Sequence, residues 1–164
     1  PSRLGASREY TLNQILARIS DSVALQTKGT PQYSAREWLI FEDNLQVTPG
    51  ANMTYTRIAQ RYALAVFYFS TRGEDSWRSN NWMWGEECEG LLAWEGISCS
   101  PDGHVRSLAF DNHGLSGTIP EEIFELHRLE NLVLKNNPEL KGTIPKSIGK
   151  LRILGQLGLY NNAR

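Results

Sequence analysis

Apolar residues along this chain change their period part-way. Over the first 71 residues they recur in three- and four-residue steps: Leu12, Ile15, Leu16, Ile19 and Val23, then Ile58, Tyr62, Ala65 and Phe69. That spacing places side chains on one face of a helix. The first set predicts a helix within 8–26. Pro31 suits the first position of a second, short helix, in which Tyr33, Trp38 and Phe41 point inward. Thr54 or Thr56 caps a third helix, and "TPGAN" (48–52) breaks the chain before it. From residue 104 the period becomes two. Leu108 and Phe110, Leu132 and Leu134, and Leu157 and Leu159 form pairs that each fit one face of a short strand.

Those pairs belong to a longer recurrence. "LSGTIP" (115–120) returns as "LKGTIP" (140–145), and Leu108, Leu132 and Leu157 fall in step at separations of 24 and 25 residues. Val105, Leu129 and Leu154 keep the same step. So do Gly117 and Gly142, Pro120 and Pro145, Ile123 and Ile148, and Leu126 and Leu151. The one extra residue of the second unit lies in "NNPEL" (136–140), where the first has "NHGL". A period of this length marks a stacked repeat, in which each unit has one apolar side that its neighbours must cover. An Asn-rich turn follows each strand. Asn137 and Asn162 can pair with backbone groups of their own and the adjacent turn, and His113 holds the equivalent place in the first unit. Pro120 and Pro145 withhold a sheet donor and fix an extended return path.

The pattern Leu-x-x-Leu-x-Leu-x-x-Asn-x-Leu-x-Gly-x-Ile-Pro over 104–164 resembles the plant-type leucine-rich repeat. The resemblance implies an α/β solenoid, a right-handed leucine-rich repeat coil. A short parallel β-strand of each repeat would line a concave face, and a second strand would begin at Gly-x-Ile-Pro. Upstream, "DSWRSNNWMWGEECEGLLAWEGISC" (75–99) resembles the cap that precedes such repeats in plant receptor-like kinases and polygalacturonase inhibitors. Trp77, Trp82, Cys88, Trp94, Gly96, Ile97 and Cys99 fill its positions. The Cys-to-Cys spacing is longer than in the usual plant cap, through the loop "EGLLA" (89–93). Two cysteines by themselves leave free thiols and a bridge open. The cap resemblance implies a disulfide between Cys88 and Cys99, which would stabilise by roughly 3 kcal/mol in the chain-entropy picture. "SAREWLIFEDNLQV" (34–47) and "RYALAVFYFSTRGEDSW" (61–77) are similar to leucine-rich repeat proteins of diatoms and related algae. Three zones result: a helical N-terminal region (1–71) docked on the cap, the cap itself (72–103), and about two and a half repeats (104–164).

Composition narrows the partners. With 17 basic and 18 acidic residues among 164, the net charge is close to zero, which argues against nucleic acid or an anionic membrane as the main partner. The run "YALAVFYF" (62–69) is too short to span a bilayer, so any membrane attachment would come from segments outside this chain. The chain opens on "PSRLGASREY" and stops within a third repeat, as expected for a piece of a longer protein. "NMT" (52–54) is the only glycosylation sequon and names Asn52.

Little here reads as catalysis. There is no nucleophile elbow, phosphate loop or paired-carboxylate motif, and no cofactor is implied. His104, His113 and His127 lie at no metal-ligand spacing; the first and last read as surface residues. Trp77, Trp82, Trp84 and Trp94 read as a hydrophobic cap core with bonded indole N–H groups, and "GEECE" (85–89) reads as a solvated acidic run. What remains is the outward side of the strands. Alternation there selects Ser107, Ala109, Asp111 and Asn112; Asn131, Val133, Lys135 and Asn136; and Gln156, Gly158, Tyr160 and Asn161. The column Asp111–Lys135–Tyr160, flanked by Asn112, Asn136 and Asn161, is the candidate binding surface. The resemblance implies an extracellular or cell-surface recognition module, not an enzyme, that binds a protein, a peptide or a cell-wall glycan. A structural subunit of an assembly and an enzyme-inhibitor-like repeat protein are the alternatives.

Overall fold

Helix α1 (Arg3–Leu16) buries Leu12, Ile15 and Leu16 and then stops. The computed structural model describes residues 3–78, 81–89 and 93–163; part of the "EGLLA" loop, residues 90–92, lies outside them. The apolar stripe had carried the expected helix on to Val23, which is instead 69% exposed. Asp21 is the reason. Its Oδ1 accepts the N–H groups of Val23 and Ala24, both at 3.0 Å, a local turn that competes with helix continuation.

Thr30 caps helix α2 (Pro31–Glu37) by accepting the Tyr33 N–H, and Pro31 takes the first turn. Tyr33 is half-buried. The helix then widens into a π-turn (Trp38–Glu42), closed by Asp43 N–H donating to the Trp38 carbonyl at 2.8 Å. The wider turn buries Trp38, Leu39 and Ile40 in succession and swings Phe41 out to 57% exposure, against the expectation that it packs inward. Arg8 closes the free carbonyls at this end, donating to Leu39, Ile40 and Val47. Burial lowers its guanidinium pKa, and the charge of Asp43 works in the opposite direction.

Thr54 caps helix α3 (Tyr55–Ser70). Ile58, Tyr62 and Ala65 are buried, Phe69 is half-buried, and every residue from Gln60 to Tyr68 is enclosed. A helix covered all round has neighbours on every side: α1, α2, and the 3₁₀ turn Glu121–Glu125 of the first repeat. Its C-terminal end abuts the first repeat directly. Ser70 Oγ donates to Thr118 O at 2.7 Å, and Ser116 N–H donates to Thr71 O at 3.1 Å. A Cβ on Gly117 would lie 2.3 Å from Ser70 O, so this approach requires glycine.

The cap packs Trp77 and Trp82 against Phe67 and Phe110, and Trp94 against Trp82 and Trp38. The indole N–H groups of Trp77, Trp82 and Trp94 donate to Thr71 O, Glu95 O and Trp84 O. Trp84 itself is 61% exposed and lies outside the core expected of it. Met83 and Gly85 on either side both have φ of 68°, and Trp84 turns its carbonyl to Trp94 while its ring faces solvent. Cys88 and Cys99 are joined, with Cα atoms 5.7 Å apart.

Strand β1 (Ile97–Cys99) pairs antiparallel with β2 (Val105–Ala109) and covers that edge of a sheet. The sheet continues in parallel through β4 (Asn131–Val133) to β6 (Gln156–Gly158), with Leu108, Leu132 and Leu157 in register. A second parallel pair joins β3 (Ser116–Thr118) to β5 (Glu139–Lys141). There Gly117 faces Leu140, two residues away from the match of Gly117 to Gly142 in the repeat alignment; a shift of two keeps every side chain on its own face. Leu108, Leu115, Leu129, Leu132, Leu134 and Leu140 fill the interior, whereas Leu157 on the last strand is 43% exposed.

The Asn137 amide ties the turns together. Its Oδ1 accepts the N–H groups of His113, Gly114 and Leu115, and its Nδ2 donates to Phe110 O and Lys135 O. Asn162 repeats the arrangement one unit on, accepting Asn137 N–H and donating to Leu134 O and Leu159 O. His113 does not replace this amide, as had been expected. Its ring packs on Trp77 and Phe110 at 5.5 and 5.1 Å, because cap aromatics lie where a preceding turn would be.

Candidate functional site

The strand register brings Asp111, Lys135 and Tyr160 into one outward column. Lys135 Nζ lies 3.0 Å from Asp111 Oδ2 and 5.6 Å from the centroid of the Tyr160 ring. Beside it, Asn136 Nδ2 donates to Asp111 Oδ1 at 2.6 Å, and Asn161 Nδ2 donates to Asn136 Oδ1 at 2.8 Å. Asn112, Asn136 and Asn161 all adopt the left-handed conformation, with φ of 53°, 59° and 59°. Asparagine tolerates that region better than most residues, so its choice at the strand exit has a backbone reason as well as a chemical one. Asn112 and Asn136 also bond through the main chain, their N–H groups donating to Lys135 O and Tyr160 O.

The electrostatics follow from these contacts. The hydrogen bond from Asn136, then that from Lys135, holds the Asp111 carboxyl below the usual range. Asp111 and, after it, Tyr160 raise the Lys135 ammonium. Both groups are therefore charged at neutral pH, in a surface that offers a carboxylate, an ammonium, an amide row and an exposed phenol ring. At the opposite end of the strands lies a pair that sequence reasoning did not single out. Arg106 donates from Nε and Nη2 to the two carboxylate oxygens of Glu130, at 2.8 and 2.6 Å. The two residues are 24 apart, the repeat period itself, and that was the available signal.

A second constellation also escaped the sequence reading. Glu87 belongs to the acidic run expected to be solvated, yet it is completely buried. Arg61 explains this. It forks onto Asp43, Nε to Oδ2 at 2.9 Å and Nη2 to Oδ1 at 2.7 Å, and donates from Nη1 to Glu87 Oε2 at 2.7 Å. Its guanidinium lies 5.0 Å from the Trp38 ring and 5.1 Å from that of Trp94. Burial works against the charge, but bonding to Asp43 and Glu87 outweighs it and leaves the Arg61 pKa above its ordinary value. Gln60 extends the network, donating to Glu87 Oε1 and Gly103 O and accepting the Val105 N–H. An arginine three residues after Ile58, on the apolar stripe of α3, was the clue that buried counter-charges had to exist. The cluster is saturated and enclosed, and it joins α3 to the cap rather than binding a ligand.

Asn52 is exposed beside its loop; its Oδ1 accepts Thr48 N–H at 2.6 Å, while Thr54 of the same sequon caps α3. Among the described residues, no helix is long and apolar enough to cross a membrane.

No protein-family model matches the chain. Over 61 residues, 37% of the chain, it is 41% identical to a probable leucine-rich repeat receptor-like protein kinase of Arabidopsis thaliana. Over 58 residues, 35% of the chain, it is 40% identical to the serine/threonine-protein kinase BRI1-like 1 of the same plant. These matches span only 6% and 5% of the two relatives. Among solved structures, the ectodomain of the receptor kinase SOBIR1 from Arabidopsis thaliana has 26% identity and a TM-score of 0.49, with 63% of this chain and 54% of that one covered. A plant ice-binding protein has 26% identity and a TM-score of 0.48, with 61% and 31% covered. By sequence, the likeness is to plant leucine-rich repeat receptor-like kinases.

Proposed function

We propose that the chain is the N-terminal part of an extracellular or cell-surface leucine-rich repeat recognition module, non-catalytic in itself, that binds a protein or peptide through the concave side of its parallel sheet. The carrying observation is the outward column Asp111–Lys135–Tyr160, with one residue from each repeat in contact with the next. In this reading each parallel strand belongs to one turn of a right-handed solenoid, and the sheet is its concave wall. The helices of 1–71 and the cap of 72–103 serve as its lid. The Cys88–Cys99 bridge fits an oxidising compartment, and exposed Asn52 carries a glycan there. Tyr160 is the anchor, a ring with large area and few torsions to freeze.

The test is titration or pull-down of the native partner with the triple variant D111A/K135A/Y160A, beside a melting curve. The expected outcome is an affinity loss of about thirtyfold, the scale of one aromatic hot spot, with melting nearly unchanged. Unchanged affinity would assign recognition to another face.

A further inference from the structure

A cavity of about 490 Å³ opens in the seam between the N-terminal helices and the first repeat, away from the outward column. Four segments distant in sequence build it: the stretch just after α1, the first turns of α3, the start of β2 at His104 and Val105, and the turn from Glu125 toward β4. It exists only because the helical region docks on the repeats.

Its interior is apolar. Ile19, Tyr55, Ala59 and Leu126 supply the walls, and Val105 closes the base. Its rim is cationic. Arg18 extends over the Tyr55 ring, 5.8 Å from the centroid, and Arg128 stands at the repeat side. Glu125 is the only carboxylate among the lining residues, and it is already engaged: it forms an ion pair with Lys150 and lies 3.5 Å from His127 Nε2. Among the described residues, neither Arg18 nor Arg128 has a carboxylate partner. The polar groups of Gln60, deeper in the wall, are spent on Glu87, Gly103 and Val105. The site thus combines an apolar body with two guanidinium groups that form no ion pair among the described residues; the carboxylates near Arg128, Asp102 and Glu130, are engaged by His104 and Arg106.

We infer that this seam binds a small organic anion: an apolar, ring-sized body seated on Tyr55, Ala59 and Leu126, with a carboxylate, sulfate or phosphate head held by Arg18 and Arg128. The volume lies within the range of small-molecule sites, about 300–1,000 Å³, and such sites pair apolar walls with a few placed polar groups. Guanidinium groups suit an oxyanion because their N–H forks match its geometry. Such a ligand would touch both the helical region and the first repeat, and so stabilise their docking by mass action. This site does not depend on the concave-face reading.

The probe is 4-phenylbutyrate, titrated into the whole chain and followed by amide NMR, with 4-phenyl-1-butanol as the neutral control and 4-phenylbutylamine as the cationic one. The expected result is saturable shifts centred on Ala59 and Leu126, with the carboxylate at least about tenfold tighter than the alcohol and the amine weaker still. R18E/R128E, both at exposed positions, should keep the fold and remove that preference. A59W should fill the cavity and abolish binding by all three. Equal affinity for carboxylate and alcohol, undiminished carboxylate binding in R18E/R128E, or no saturable shift up to about 10 mM would each overturn the assignment.

Discussion

Two charged clusters of similar composition stand in opposite environments. Arg61, Asp43 and Glu87 are sealed between Trp38 and Trp94. Asp111, Lys135 and Tyr160 lie open on the sheet. Both make near-ideal contacts, yet these have different consequences. In the buried cluster no water can replace a lost partner, so each group depends on the others and together they pin α3 to the cap. On the open face water competes for every bond, and the same geometry does little for folding. Contacts that contribute little to the fold remain available to a partner. Tight polar geometry therefore holds structure together in one region and leaves the other free for the recognition proposed for it, and solvent access separates the two.

The largest test removes the buried side altogether. A chain beginning at residue 72 loses Asp43 and Arg61 and uncovers the first repeat, and should be aggregated or molten with poor thermal cooperativity. A monomeric, cooperatively melting product would show that the helices are not a lid. Next, R61A strips buried Asp43 of its guanidinium, leaves Glu87 only Arg57 and Gln60, and should cost about 3–5 kcal/mol in urea unfolding. N137A is the counterpart within the repeats. It strips the acceptor from three turn N–H groups and should cost on the order of 2–3 kcal/mol.

A pH test probes the buried side from another direction. Burial raises the Tyr62 phenol above its ordinary value; its bond with Ser20 lowers it, and the charge of Glu122 raises it. The folded chain therefore holds that proton more tightly than the unfolded one. The resulting stability is fully present below about pH 10 and is lost as pH rises from there toward the folded value. Urea midpoints at successive alkaline pH values should fall, and Y62F should flatten the slope. The smallest effect belongs to the open face. K135A should hardly move the melting midpoint, and a large drop would mean the column is structural after all.

The repeat array was legible because each unit restates its own rule. Leu108, Leu132 and Leu157 recur at separations of 24 and 25, so the register of β2, β4 and β6 follows from alignment alone. The outward column follows from the register, and the Asn137 and Asn162 rungs follow from the turn they share. Near the array's start the rule fails where neighbours differ. His113 meets cap aromatics instead of another turn and packs as a ring.

The sequence by itself determined the elements that depend on local spacing: the strand faces, the apolar stripe of α3, the helix start at Pro31, a threonine cap at 54 or 56, and the repeat frame. Only the tertiary structure decided which charges are buried and which aromatics are not. Asp43 and Glu87 meet Arg61 from 18 and 26 residues away, and no periodicity encodes that meeting. Phe41 and Trp84 face solvent because a π-turn and a pair of left-handed residues rotate them outward. Apolar spacing records which face a regular element turns inward, and it has no say where the backbone leaves that regular geometry or where distant segments supply the partner.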